Sequence, residues 1–546
     1  MNANIACHLG SRAAEQPRVP ALKIPRGRTR AGEIDYLSLS FSELDAEVDA
    51  WCGRLAARGV RRGDRTLVMV GPGLPLISAA FALFRIGAVP VIIDPGMGLG
   101  SFLRCVAHAR PRALVGIPFA QLASRLFRGS FRTVAVRVGV SSSKHARLRA
   151  YWGRSAPPQS SFASASDLAA ILFTSGSTGA PKGVCYEHGM FDAQVRLIRE
   201  TYGIAPGEVD LPMLPIFALF NPALGMTTVV PEIDPRRPAD ADPAKIVQAI
   251  RQESVTNSFG SPTLWRIVAR HCRERGIALP SLRRVLCAGA PVPAALWTEA
   301  RSFLPNGRLH SPYGATEALP VSSISEDEIV PGTRGAPIGR PVLEIGVKIV
   351  AIADGPIPSL ADARELPAGE IGEIVVRGPV VTREYDDLPE ATRHAKIRES
   401  AAPAGPFWHR MGDCGYFDPA GGLWFCGRVA ERVETESGPM YTEPCEQIFH
   451  RHPRAARCAL IGLGERGRQI PALVAETRVR NAAEAVALAQ ELGRAARADP
   501  QTAAIARFYF RPHFPVDVRH NAKIHRLALA QWAATAAGFE FDPKLP

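Results

Sequence analysis

At 546 residues the chain is longer than one ordinary hydrophobic core organises, so two or more domains are expected. Its 46% apolar and 21% charged content exclude a disordered or fibrous polymer and indicate a compact globular protein. A net charge of +13 raises nucleic acid as a partner, but the basic residues look scattered and accompany no zinc-finger, RRM or helix-turn-helix signature. No nucleic-acid partner is therefore expected, whereas anionic small molecules, acidic proteins or membrane headgroups all suit such a surface.

The elements alternate from the start. Phe41 to Ala57 reads as an amphipathic helix, Arg65 to Val70 as an apolar strand, Leu74 to Ile86 as a helix and Val89 to Ile93 as a strand ending at Asp94-Pro95-Gly96. That order predicts βα units and a parallel sheet covered by helices. Ala156 to Ser166, rich in Ser, Ala and Pro, reads as a loop, and a second βα set runs from Ala169 to about Leu304, with strands at Ala169 to Phe173 and Arg284 to Ala288. Leu211 to Pro231 is uncharged and long enough to suggest a membrane span. Pro212, Pro215, Pro222 and Gly225 would break such a helix repeatedly, so a buried pocket wall is expected and no transmembrane segment.

From Ile345 to Val381 short strands broken by Gly and Pro predict a β subdomain, and after Gly427-Arg428 the elements shorten and become more charged. The expected division is 1–427 as a large N-terminal domain and 428–546 as a small C-terminal α/β domain. Ten cysteines without a CxxC pair read as reduced, buried thiols, and the N-terminus shows no secretory pattern, so a cytoplasmic protein is expected.

The strongest motif is Phe173-Thr174-Ser175-Gly176-Ser177-Thr178-Gly179-Ala180-Pro181-Lys182-Gly183, directly after an apolar strand. Glycines and small hydroxyl residues let backbone N–H groups approach phosphate oxygens, and Lys182 adds positive charge. It is not a Walker A loop, because Gly183 stands where Ser or Thr would hold magnesium. A flexible linker is the competing reading, but linkers seldom follow a buried strand and end in Pro-Lys-Gly.

With this loop the chain resembles the superfamily of acyl-CoA synthetases, firefly luciferases and nonribosomal-peptide adenylation domains. The resemblance extends from Phe41-Ser42-Glu43-Leu44 and Arg85-Ile86-Gly87-Ala88-Val89-Pro90 to the C-terminal lysine region. It implies an α/β fold: a large N-terminal adenylate-forming domain with two βα sheet subdomains and a β subdomain, plus a small mobile C-terminal α/β domain. It implies ATP and Mg²⁺ as cofactors, and it gives roles to particular residues. Thr174, Ser175, Gly176, Ser177, Thr178, Gly179 and Lys182 would grip phosphates, and Gly289-Ala290-Pro291 would flank adenine. In Tyr313-Gly314-Ala315-Thr316-Glu317, Tyr313 and Gly314 would line the adenine, Thr316 would contact phosphate, and Glu317 would hold Mg²⁺ together with Thr178. A carboxylate beside a triphosphate is useful chiefly as a magnesium ligand. Asp413 in Met411-Gly412-Asp413 would accept hydrogen bonds from both ribose hydroxyls, Arg428 at the hinge would reach ribose or phosphate, and Lys523 would be the catalytic lysine, with Ala522 replacing the usual preceding glycine.

Several residues depart from the acyl-CoA synthetase pattern. Ala430 replaces the hinge Asp or Lys, the stretch Glu434 to Glu443 carries an extra residue, Gly438-Pro439-Met440 replaces the glycine-rich turn of the pantetheine tunnel, and Ala218 stands where His is usual. With Ile93-Asp94-Pro95-Gly96-Met97-Gly98 and Val516-Asp517-Val518-Arg519-His520-Asn521-Ala522-Lys523, these features resemble the β-lactone synthetases of bacterial long-chain olefin biosynthesis. The resemblance implies a long-chain 2-alkyl-3-hydroxy acid as substrate, adenylated and then attacked by its own hydroxyl, and a complex with other olefin-biosynthesis enzymes. A long-chain acyl-CoA ligase and a non-catalytic nucleotide- or acyl-binding relative are the alternatives.

Overall fold

A computed structural model describes residues 2–143, 161–174, 180–234, 237–329, 334–399, 405–455, 457–516 and 524–544. They form two compact units, one of Met1–Glu326, Val342–Ile345 and Arg377–Lys396, the other of Asp327–Pro341, Gly346–Val376 and Ile397–Pro546. These units cut across the expected 427/428 boundary, because the strands from Ala336–Pro341 to Leu423–Arg428 group with the C-terminal residues.

In the first unit the helix Phe41–Ala57 starts at a capping box: the Ser40 hydroxyl accepts from the Glu43 amide at 3.3 Å and Glu43 Oε2 accepts from the Ser40 amide at 2.9 Å. Its apolar face seats Phe41 and Trp51 against the helix Leu74–Ile86, which ends at left-handed Gly87. Burying each such side chain contributes about 1.5–3 kcal/mol. A six-stranded sheet runs in the order Val136–Gly139, Ala113–Gly116, Arg65–Met69, Val89–Ile93, Leu168–Thr174, Lys182–Glu187. All neighbours are parallel except the last pair, a hairpin with Thr174 opposite Lys182. A second run of strands places Val209–Asp210, Asn257–Gly260, Arg284–Cys287 and Arg308–Ala315 side by side in parallel, with Ala318–Ser325 folding back against the last. The uncharged stretch from Leu211 becomes the short helical turns Pro215–Leu219 and Asn221–Leu224 and the buried strand Thr227–Val229, which is wall and core. No helix among the described residues is long and apolar enough to cross a membrane.

In the second unit an antiparallel sheet contains Gly372–Arg377, Phe407–Phe417, Leu423–Arg428 and Ala336–Pro341. A four-stranded sheet follows, ordered Cys458–Leu463, Ile470–Glu476, Arg507–Arg511, Phe539–Glu540. Alternation along its strands decides the packing: Leu460, Leu473 and Phe508 meet the helices Thr442–Phe449 and Ala482–Arg497, while Ile461, Val474 and Tyr509 meet Arg526–Ala533.

Candidate active site

Arg308–Ala315 and Ala318–Ser325 form a hairpin in which Ala315 pairs with Ala318, so Thr316 and Glu317 sit at its tip. Gly314 lets this turn close, because a Cβ there would lie 2.6 Å from the Ala318 carbonyl oxygen. The segment after Arg377 ties the tip to the phosphate-loop hairpin. The Thr382 amide donates to the Glu317 carbonyl at 2.9 Å and the Asp386 amide to the Gly183 carbonyl at 2.7 Å, so Tyr385 stands between them. Its hydroxyl donates to Glu317 Oε1 at 2.8 Å, and Lys182 Nζ lies 4.7 Å from the centre of its ring. The structure thus brings Lys182 and Glu317 to one tyrosine, the lysine over its ring and the carboxylate at its hydroxyl.

Burial, and next the Glu317 carboxylate, push the Tyr385 hydroxyl far above its ordinary pKa, so it remains a proton donor to that carboxylate. Tyr186, from the same hairpin as Lys182, donates its hydroxyl to the Thr316 carbonyl. Lys396, partly buried, donates to the Thr382 carbonyl; desolvation lowers its pKa to about 7 while Glu317 opposes the fall. Tyr186, Tyr385 and Lys396 escape sequence reading because none lies in a motif. Tyr385 and Lys396 lie among charged residues, in Arg383-Glu384-Tyr385-Asp386-Asp387 and Arg393-His394-Ala395-Lys396, where nothing local marks them as part of the site.

Gly289, with φ of 99°, Ala290 and Pro291 follow the C-terminal end of Arg284–Cys287, where ligands of parallel sheets collect. Below lies a cavity of about 50 Å³ lined by Phe217, Phe220, Phe259, Leu286, Pro312 and Leu319. Of these, Leu286 lies on the strand that ends just before the Gly289 turn, and Pro312 and Leu319 lie on the hairpin that carries Thr316 and Glu317. At its base Asp210 accepts from Asn221 at 2.8 Å and Asn257 at 2.6 Å, and burial raises its pKa to about 6.

In the second unit Asp413 and Arg428 are paired across neighbouring strands and form an ion pair of 2.7 Å, with Asp413 buried. The stretch around Gly438 forms a tight hairpin between Val433–Thr435 and Gly438–Met440. Beyond it, Arg526 holds Glu446 through two bonds of 2.8 and 2.7 Å and Glu431 at 3.1 Å. This cluster anchors the helix that begins just after Lys523. Ser175, Gly176, Ser177, Thr178 and Gly179, together with Lys523 and the side chain of Thr174, lie outside the described residues.

Residues 10–386 match the family model described as AMP-binding enzyme. The chain is 46% identical to the olefin beta-lactone synthetase of Xanthomonas campestris pv. campestris, covering 97% of each chain. It is 44% identical to that of Stenotrophomonas maltophilia, covering 97% of this chain and 98% of the other. A feruloyl-CoA synthase of Amycolatopsis is 30% identical over 78% of this chain and 81% of its own. Among solved structures, ATP-bound MatB from Rhodopseudomonas palustris superposes with a TM-score of 0.78 at 20% identity, covering 98% of this chain and 99% of the other. O-succinylbenzoate coenzyme A synthetase from Bacillus subtilis, with ATP and magnesium, gives 0.75 at 21% identity, covering 96% and 98%. The structural matches establish the fold, and the family model and sequence matches establish membership: the chain belongs to the family of AMP-binding enzymes that includes the olefin β-lactone synthetases.

Proposed function

We propose that this chain adenylates a long-chain 2-alkyl-3-hydroxy acid with ATP and then lets the substrate's own 3-hydroxyl displace AMP, giving a β-lactone. The observation that carries this reading is the 46% identity, along 97% of the chain, to a protein named olefin beta-lactone synthetase. In the first step a carboxylate oxygen attacks the α-phosphorus and pyrophosphate leaves. Two anions approach only where positive charge is already in place, and Lys182 and Lys523 are assigned that task. Residues 428–546 would act as the lid that carries Lys523.

Glu317 offers a hard carboxylate oxygen, held at its other side by the Tyr385 hydroxyl, which fits a divalent cation with Thr178 as second ligand. Magnesium bound there would neutralise phosphate charge. Thr316 would touch phosphate, Tyr313 and the Gly289 turn the adenine, and Asp413 the ribose, with Arg428 already beside it. In the second step the hydroxyl oxygen bonds to the acyl carbon, the acyl–phosphate bond breaks with its electron pair leaving on AMP, and the hydroxyl proton passes to a base or phosphate oxygen. An intramolecular nucleophile has a high effective concentration and needs no thiol site. Ala430, the turn around Gly438 and the extra residue before Glu443, all in the region that acyl-CoA synthetases use to admit a thiol, support this, as does Ala218 where those enzymes often have His at the edge of the acyl pocket. A cytoplasmic setting and a complex with other olefin-biosynthesis enzymes complete the proposal.

The test is incubation of a 2-alkyl-3-hydroxy fatty acid with Mg-ATP, with and without coenzyme A, followed by product mass. The expected product, without coenzyme A, is one water lighter than the acid and accompanied by AMP. Accumulation of acyl-CoA, or equal turnover of fatty acids lacking the 3-hydroxyl, would favour the acyl-CoA ligase instead. ATP binding without pyrophosphate exchange would indicate a non-catalytic relative.

Glu317→Gln should raise the magnesium concentration needed for half-maximal turnover by about tenfold, since an amide is a weaker ligand for a hard cation. Asp413→Ala should instead weaken nucleotide binding. A magnesium titration of Glu317→Gln that matched the unsubstituted enzyme would remove Glu317 from the metal site.

A further inference from the structure

The positive charge is not spread along the chain. From Pro95 to Ser166 there is no Asp or Glu, yet eleven Lys or Arg, against a net charge of +13 for the whole protein. Seven of these arginines lie in the described part of the stretch: Arg104, Arg110, Arg112, Arg125, Arg128, Arg132 and Arg137. Arg110 and Arg112 are spent on Asp387 and Asp64. Arg125, Arg128 and Arg132 are exposed and make no ion pair among the described residues.

Within the stretch the helix Pro118–Leu126 is packed the opposite way from an ordinary surface helix. Its small residues Ala120 and Ser124 face the sheet. Its large apolar residues face water, with Phe119 72% exposed, Leu122 63% and Leu126 72%. Single exposed apolar side chains are common, but positions i, i+3 and i+7 share one helix face and make a patch. An outward apolar face beside unpaired arginines is the pattern that seats a short helix in a membrane interface, with rings and leucines among acyl chains and guanidinium groups at headgroup phosphates.

We infer that the Phe119, Leu122 and Leu126 face, with Arg125, Arg128 and Arg132, docks the enzyme peripherally on an anionic lipid surface. Charge complementarity selects this occupant: Arg125, Arg128 and Arg132 make no ion pair among the described residues and no Asp or Glu lies in the chain from Pro95 to Ser166, so a negative bilayer attracts this segment. The surface carries this inference independently of the reaction proposed above, although a long-chain acid that partitions into bilayers agrees with it.

The test is flotation of the full chain with phosphatidylcholine vesicles, with and without about one-third phosphatidylglycerol. Binding is expected to the anionic vesicles and to weaken at least tenfold as salt rises from about 0.05 to about 0.5 M. The triple variant Arg125→Glu, Arg128→Glu, Arg132→Glu should lose on the order of a hundredfold in partitioning, and Phe119→Ser, Leu122→Ser, Leu126→Ser about tenfold or more. Charge reversal at exposed Arg251, Arg270 and Arg275 is the control and should change binding less than about threefold. Both test variants alter only exposed side chains, so their melting temperatures should match that of the unsubstituted protein. Equal binding to neutral vesicles, no binding to either, or equal losses in the control would overturn the inference. So would concentration-dependent self-association abolished by the serine variant, which would assign the face to a second copy.

Discussion

Lys523→Ala should slow formation of the acyl-adenylate by on the order of a hundredfold or more, with ATP binding retained. A positioned cation facing charge that develops on the α-phosphate contributes several kcal/mol, and each ~1.4 kcal/mol is tenfold in rate. In sequence the residue directly precedes Ile524, which bridges back to Val516, and the helix Arg526–Ala533. Single-turnover pyrophosphate release with saturating ATP is the readout. A normal burst in Lys523→Ala would remove Lys523 from the first step, whatever the fate of the acyl group.

Arg526→Ala should destabilise the C-terminal sheet by about 3–5 kcal/mol, because one guanidinium serves two buried carboxylates and its removal leaves both uncompensated. Arg526→Lys should recover only part of this, since an ammonium cannot present the planar fork that meets Glu446 at two atoms. The loss should shrink in mild acid. Burial, and next the neighbouring Glu446, raise the Glu443 pKa from 4.5 to about 7, and Arg526 is what restrains it. A carboxyl whose folded pKa is raised contributes stability that is fully present below its unfolded pKa and is lost as pH rises through the folded value. Without Arg526 that window moves further up, so the gap between variant and parent should be wider at about pH 8 than at about pH 5. Urea midpoints at the two values decide the matter; a gap independent of pH would show that the carboxylates remain solvated.

Much of the fold is legible before any coordinates. The helices Phe41–Ala57 and Leu74–Ile86 and the strand Val89–Ile93 occur at the expected residues, because a capping box, a terminal glycine and an unbroken apolar run are local signals. Membership of the adenylate-forming enzymes is legible for the same reason: the loop ending at Lys182 and the tip at Glu317 are contiguous motifs whose chemistry resides in their residue types. The division at 427/428 is not recovered by the compact units, since strand pairing between Gly372–Arg377, Phe407–Phe417 and Leu423–Arg428 outweighs the change in composition there. Sequence alone supplied the phosphate-loop and Thr316-Glu317 motifs that show the family, whereas reading the basic residues as scattered passed over the carboxylate-free stretch from Pro95 to Ser166. Only the tertiary structure decided that Tyr385, remote in the chain, bridges Lys182 and Glu317, and that Phe119, Leu122 and Leu126 face outward. Both outcomes depend on which sheet face and neighbouring strand meet each residue, and packing across distant segments sets these where local periodicity does not.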